Sequence, residues 1–516
     1  MRVCLFDGYM RNRTQLSEEL SVASAEPQKL EHAILEAGFE RWGCDIGNHI
    51  HGSFALAILD EESGEVFCAR DPLGIVPFYY CLDSDGAFRY GSDIAHVAGG
   101  GRARAGIDRE ALQRYLMFGY PADEKTLYEG VRKLMPGHYL LFDGENILIK
   151  PYFTLSFVPD FSRCEEQWAC DIERVLEGVL AEDAEMLADE RPSSFLSSGV
   201  DSSYLLALSG ARRAFGIGYD EEGCSEALEA AETARGLGAE FVEARVTSDM
   251  FFDAIPRVVR SAGLPLADAS TVALLLGCEE AVRAGSYCIS GEGADELFAG
   301  YNIYRRADEL GRDGGPWHFG CSGIMEEEGA RRLLMLDHPY PAQHLVNGIY
   351  EASASWEHLS RLQAIDCALW LEGDIFLGAN AAARESGLQL LLPYADRRMV
   401  DLATCIPACL RLKDGCGKYI LRRAAQKRLP REVAFRRKIG FSVPIRAWMR
   451  EGRHRKSIEA ALLSSQSELF FDRGRVERYW SSFVDGNDGI WQVVYALYVF
   501  LVWYRHCYSI SEAGEE

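Results

Sequence analysis

The sequence predicts an α/β protein in two parts: an α+β layer domain over residues 1–155, then a doubly wound parallel-sheet domain with a helical C-terminal part over residues 165–516. Three observations predict it. Short apolar runs separated by turn signals fill the first stretch. From about residue 165 the pattern changes to strand and helix in alternation, the mark of a parallel sheet covered by helices. A chain of 516 residues is also longer than one hydrophobic core normally serves.

In the first part, residues 53–59, 66–69, 78–81 and 139–142 read as strands. Asp71-Pro72-Leu73-Gly74 and Met135-Pro136-Gly137 read as turns between them. Helical patterns occupy residues 29–41 and 109–118. Residues 156–163, with Pro159 and Asp160, read as a linker. Beyond it come a helix at 172–187, a strand at 193–197, a turn, and a helix from Ser203. A strand at 214–218, a helix at 226–237, a strand at 241–246, a helix at 271–284 and a strand at 287–290 follow. The remainder reads as largely helical, without internal repeat or low-complexity tract.

Hydrophobic residues make up 48% and charged residues 26%, an ordinary soluble composition. The formal charge of -24 repels nucleic acid and anionic lipid, so neither is expected as a partner. A bound nucleotide then needs locally placed cations and metal. The 15 cysteines are scattered, with no zinc spacing, and read as buried thiols of a reducing, cytoplasmic setting. No secretory leader pattern opens the chain. The most apolar run, residues 491–504, is too short to span a bilayer and contains Gln492; it reads as a buried C-terminal helix.

Two segments carry candidate chemistry. Leu196-Ser197-Ser198-Gly199-Val200-Asp201-Ser202-Ser203 leaves a predicted strand and enters a predicted helix. Such a loop offers unpaired N–H groups and a positive helix end to an anion. Asp201 repels phosphate unless a magnesium ion lies between them, so the segment points to metal-bound pyrophosphate. The plainer alternative is an Asp/Ser helix cap on a serine-rich turn. Ser290-Gly291-Glu292-Gly293-Ala294-Asp295-Glu296 follows a second short apolar strand. If the two strands are neighbours where the strand order reverses, Asp201 and Asp295 face one crevice and can share a magnesium ion. The alternative there is a solvated acidic loop.

The first segment resembles the pyrophosphate-binding loop of N-type ATP pyrophosphatases, S-G-G-x-D-S-S. The second resembles the S-G-E-G-x-D-E motif of asparagine synthetases. Gly52-Ser53-Phe54-Ala55, Arg70-Asp71-Pro72-Leu73-Gly74, Phe118-Gly119-Tyr120 and Pro136-Gly137-His138-Tyr139 resemble that family's Ntn-hydrolase-like glutaminase domain. Pro393-Tyr394-Ala395-Asp396, Lys418-Tyr419-Ile420-Leu421-Arg422 and Lys438-Ile439-Gly440-Phe441-Ser442-Val443-Pro444 resemble its C-terminal part. The resemblance implies that ATP sits over residues 196–203, beside Ser290 and Gly291, with magnesium on Asp201 and Asp295. A substrate carboxylate attacks the α-phosphate, and the metal and Lys418 offset the charge of the leaving pyrophosphate. An amine then attacks the acyl carbon, with Glu292 as its base; crowding by other acids is expected to raise the pKa of Glu292. Lys438 is either a second positive charge near the phosphates or a solvated surface lysine.

The pattern also breaks. Glutamine-dependent members begin, after Met removal, with a cysteine whose α-amine serves as base. Here residue 2 is Arg2 and Cys4 is internal. Asp7-Gly8-Tyr9-Met10-Arg11-Asn12 resembles the family's N-G-E-I-Y-N, an element normally found well inside the glutaminase domain, with Asp7 and Tyr9 in place of its glutamine-binding Asn and Glu. Either the start is placed too late in the gene or the domain is degenerate; the expectation is a partial, non-hydrolysing domain, because the substitutions lie inside the retained part, with ammonia or another amine as the nucleophile. The family stretch D-R-x-S-M-A-x-S-L-E-x-R-x-P corresponds to residues 380–393, where Asn380, Gln389 and Leu391 replace Asp, Glu and Arg. The loss of three charges points to altered substrate recognition or to altered packing. The leading reading is an ammonia-dependent ligase that amidates a small carboxylate, aspartate first among them. An intramolecular amide cyclase acting on a peptide precursor or forming a β-lactam is the alternative, and a non-catalytic binding protein the third. A homodimer is left open.

Overall fold

The computed structural model describes residues 2–83, 86–99, 106–187, 190–221, 226–310, 323–437 and 443–508. Its N-terminal part holds eight strands: β1 (Arg2–Met10), β2 (Gly52–Asp60), β3 (Val66–Arg70), β4 (Tyr79–Leu82), β5 (Phe88–Gly91), β6 (Arg132–Lys133), β7 (His138–Phe142) and β8 (Ile147–Pro151). They form an antiparallel sheet in the order β1-β2-β3-β7-β8 and a smaller one in the order β5-β4-β6. Strand β2 is buried on both faces. Phe54, Leu56 and Ile58 pack with Ile34 and Leu35 of the helix Pro27–Trp42, while Ala55 and Ala57 pack with Val76, Phe78 and Tyr80. The layers are therefore helix, sheet and second sheet. Strand β1 was not among the predicted strands. Its consecutive apolar residues do not alternate, yet it pairs with β2 along its whole length, from Arg2 opposite Asp60 to Met10 opposite Gly52.

After the helix Glu165–Leu187, five strands form the predicted parallel sheet: β9 (Ser193–Phe195), β10 (Arg213–Tyr219), β11 (Glu240–Val246), β12 (Tyr287–Ile289) and β13 (Gln389–Leu391), in the order β11-β10-β9-β12-β13. The chain passes from β9 to β10 on one side and later returns to β12 on the other. The order therefore reverses between β9 and β12, where Ser193 and Ser194 pair with Cys288 and Ile289. Strand β13 lies within the stretch read as largely helical and was not named there; three residues are too few to show a period. The helix Ser248–Ala262 was also not foreseen, since Pro256 interrupts its pattern. Thr247 caps it by accepting from the Met250 N–H.

The helix Trp491–Trp503 is buried as expected, with the Trp503 indole donating to the Gly263 carbonyl. No described helix is long and apolar enough to cross a membrane. Every described cysteine is a free thiol. Cys164, Cys170 and Cys409 are exposed, against the expectation of buried thiols.

Two buried ionic clusters join the N-terminal layers to the rest. Arg70 and Lys133 both pair with Glu372, at 2.9 and 2.5 Å. Arg11 pairs with Asp183 and Asp396, at 2.5 and 3.1 Å. Burial pulls the Lys133 pKa below its usual value, and Glu372 opposes that pull. For Asp396, burial pushes the pKa up, but Arg398 and Arg11 together hold it below the usual carboxylate value.

Candidate active site

Strands β9 and β12 end side by side, and each delivers a loop to the same crevice. The first loop, residues 196–199, runs into the helix Val200–Ser209, three residues earlier than predicted because Gly199 already occupies the cap position. No side chain caps this helix start, and the loop's own serines organise it. The Ser197 N–H donates to Ser202 Oγ (3.0 Å) and the Gly199 N–H to Ser197 Oγ (3.1 Å). The Ser198 N–H donates to Glu226 Oε2 (3.1 Å), a contact from a distant helix that no local motif announces. The Ser203 hydroxyl donates to the Gly199 carbonyl (2.8 Å), so here it braces the loop. Leu196 and Val200 are packed into apolar clusters, which leaves them only their backbone groups to offer a ligand.

The second loop leaves β12 at Ser290, whose N–H donates to the Leu391 carbonyl (2.9 Å) and whose hydroxyl lies 3.4 Å from Glu292 Oε1. Gly293 turns the chain at φ +90 into the short helix Ala294–Leu297. A Cβ on Gly291 would sit 3.4 Å from the Asp201 Cβ, so the two loops touch. Their acids meet on one cation. Lys418 Nζ pairs with Asp295 Oδ1 at 2.8 Å and with Asp201 Oδ2. Lys418 is only 2% exposed and enters its helix, Tyr419–Ala425, with a positive φ of 56° while its N–H donates to the Phe298 carbonyl. A Cβ on Gly300 would collide with both Asp295 and Lys418. The Tyr394 hydroxyl donates to the Asp201 carbonyl (3.2 Å).

Asp201 and Asp295 fit a magnesium ion by their chemistry. Both are hard oxygen donors, and Asp201 Oδ1 is buried without a hydrogen-bond partner. Magnesium is commonly held by one or two carboxylates together with substrate phosphates. Among the described residues, no group of three or more His, Cys, Asp or Glu gathers at metal-binding distance.

Glu292 is half-buried at the edge of the crevice. One helical turn on, Glu296 is fully buried, and burial followed by the nearby Asp295 charge pushes its pKa up to about 8. The Tyr301 hydroxyl donates to Glu296 Oε1 (2.6 Å), and the Trp370 indole lies 3.2 Å from that hydroxyl. Sequence reasoning named Glu296 only as one acid of the motif and gave no sign of this network. Lys438 lies outside the described residues. Of the three departures at residues 380–393, Leu391 is fully buried in β13, a packing change, while Asn380 and Gln389 reach a cavity on the far side of the strand.

A parallel sheet whose order reverses at a serine-rich loop, with two carboxylates and a buried lysine beside it, defines a nucleotide-using α/β enzyme. Comparison with known families goes further. The asparagine synthase family model matches residues 176–505, and the glutamine amidotransferase domain model matches residues 2–153. The chain belongs to the asparagine synthase family. It is 30% identical to a putative glutamine-hydrolyzing asparagine synthetase of Mycobacterium bovis, covering 97% of this chain and 84% of that protein. It is 28% identical to glutamine-hydrolyzing asparagine synthetase 1 of Bacillus subtilis, over 97% of this chain and 85% of that one. Asparagine synthetase 3 of the same organism is 24% identical over 84% of this chain and 74% of its own. The enzyme is accordingly an ATP-dependent, amide-forming ligase of the asparagine synthetase type.

Proposed function

We propose that this ligase amidates aspartate with free ammonia, in a synthetase domain over residues 165–516 that follows a non-hydrolysing glutaminase-like domain over residues 1–155. The observation that carries the reading is the convergence of Asp201 and Asp295, from loops on adjoining strands, on the buried Lys418. Glu292 belongs to the same loop as Asp295. In this reading the phosphates of ATP lie over residues 196–203 and beside Ser290 and Gly291. The substrate carboxylate attacks the α-phosphorus; a C–O–P linkage forms and pyrophosphate leaves. Ammonia then attacks the acyl carbon, Glu292 takes its proton, and AMP departs with the C–O bond electrons. Lys418 offsets the charge that builds on pyrophosphate. A magnesium ion held by Asp201 and Asp295 would supply Lewis-acid charge at the phosphates.

Two substitutions support ammonia as the amine. Asp7 and Tyr9 stand at the family's glutamine-binding Asn and Glu positions. The Tyr9 hydroxyl is engaged instead in accepting from Arg11 Nη2 (2.9 Å) and from the Leu392 N–H (3.4 Å).

The test is pyrophosphate release with ATP, magnesium and aspartate, supplied with ammonium or with glutamine. Release that requires aspartate and ammonium, and that Asp201→Ala abolishes, is the expected result. Absence of release with aspartate and either amine would overturn the aspartate assignment.

A further inference from the structure

The helix Ala227–Gly236 follows β10, the parallel neighbour of β9, so its start lies at the same end of the sheet as the loop at residues 196–199. Glu226 stands just before that helix, yet its side chain does not cap it. The carboxylate reaches across to the loop instead, where Oε2 accepts the Ser198 N–H at 3.1 Å. Oε1 is buried and finds no hydrogen bond. Among the described residues this carboxylate has no ion pair. Arg436 reaches the same helix, but its guanidinium is engaged further along it, with the Glu229 carbonyl (3.4 Å) and the Thr233 hydroxyl (3.3 Å).

The N–H groups of the loop differ in what holds them. Those of Ser197 and Gly199 meet serine hydroxyls, which are neutral. That of Ser198 meets a carboxylate. A backbone N–H in a loop that enters a helix is a natural anion position. Glu226 Oε2 therefore sits where a phosphate oxygen would accept. Ser198 is also where the loop departs from the family pattern, serine standing for glycine, and its hydroxyl is buried without a hydrogen bond. One N–H cannot serve two anions at full strength, and a carboxylate and a phosphate so close repel each other.

We infer that Glu226 is an internal competitor for pyrophosphate: it holds the Ser198 N–H while the loop is empty, yields it to a phosphate oxygen when ATP binds, and takes it back as pyrophosphate leaves. The inference rests on the ligase reading, in which the phosphates of ATP lie over this loop, and adds a residue that weakens the hold on the product. A loop closed by its own side chain for roughly nine-tenths of the time binds its ligand about tenfold more weakly than an open one.

Isothermal titration of the full chain with inorganic pyrophosphate and magnesium tests it. Glu226→Gln keeps an oxygen that can accept from Ser198 but removes the charge. It is expected to bind pyrophosphate about tenfold more tightly than the parent, and pyrophosphate should inhibit its ligation at correspondingly lower concentration. Glu229→Gln, one turn along the same helix, should leave the binding unchanged, and Asp201→Ala should weaken it. Unchanged or weaker binding in Glu226→Gln, or equal tightening in Glu229→Gln, would overturn the inference and leave the ligase reading standing. Binding that Asp201→Ala leaves untouched, or no binding to either the parent or Glu226→Gln, would take the phosphates away from this loop and overturn both.

Discussion

Lys418 holds a left-handed backbone conformation, which costs a residue with a side chain on the order of 1–3 kcal/mol. Its N–H on Phe298 and its ammonium between Asp201 and Asp295 sustain it. Lys418→Ala leaves two carboxylates facing each other without their cation, and pyrophosphate release should fall by about 10²–10³-fold, the scale of losing one preorganised charge. Retained activity in that variant would remove Lys418 from the reaction. Gly300→Ala drives a Cβ into Asp295 and Lys418, so release should fall while the far-ultraviolet circular dichroism stays native; unchanged release would show that this contact is dispensable. Glu296 makes a pH prediction. Its folded pKa of about 8 lies above its ordinary value of 4.5. Its contribution to stability is therefore fully present below the ordinary value and is lost as pH rises through about 8. Glu296→Gln, permanently neutral, should flatten the stability curve across that window; the same slope in variant and parent would contradict this. Asp201, Glu292, Asp295 and Lys418 were legible in the sequence because each sits in a short motif whose chemistry is local. Glu226, Gly300, Tyr301 and Trp370 were not, because their roles come from contacts made across the fold.

At the level of elements, the strands and helices named in the sequence were found, mostly to within a few residues at their ends, although the helix Glu165–Leu187 begins seven residues before its predicted start, and past β12 only the buried C-terminal helix was named individually. Several of those missed had no clear period to read: β1 opens with an unbroken apolar run, Val3 to Phe6, after Arg2, β6 has two residues and β13 three, and the helix Ser248–Ala262 contains Pro256; β5, β8 and the helix Arg13–Leu20 were missed as well. The joints between elements were also invisible. Glu372 sits on a segment that widens to π-helical geometry, Asp366–Phe376, and receives Arg70 from β3 and Lys133 from β6. Removing one partner of a buried ionic cluster strands the others without solvation. Glu372→Ala should therefore destabilise the protein by about 3–5 kcal/mol in equilibrium urea unfolding. An unchanged midpoint would mean that water reaches Arg70 and Lys133 despite their burial.

Across the whole molecule, the clusters at Glu372 and Arg11 tie the N-terminal layers to the ligase part through fully buried charges. Such a joint is unlike the loose, wet contacts usual between independent domains. A single calorimetric unfolding transition is expected, and two resolved transitions would contradict it. On the proposed reading, Asp7 and Tyr9 stand where glutamine recognition would require other groups, and the ligase draws its amine from solution. Mass spectrometry of the amide product tests this most directly, with heavy-nitrogen ammonium in one reaction and amide-labelled glutamine in the other, both with ATP, magnesium and aspartate. The account predicts labelled asparagine from ammonium and none from glutamine. Labelled asparagine from glutamine at a comparable rate, or no asparagine from either, would contradict it.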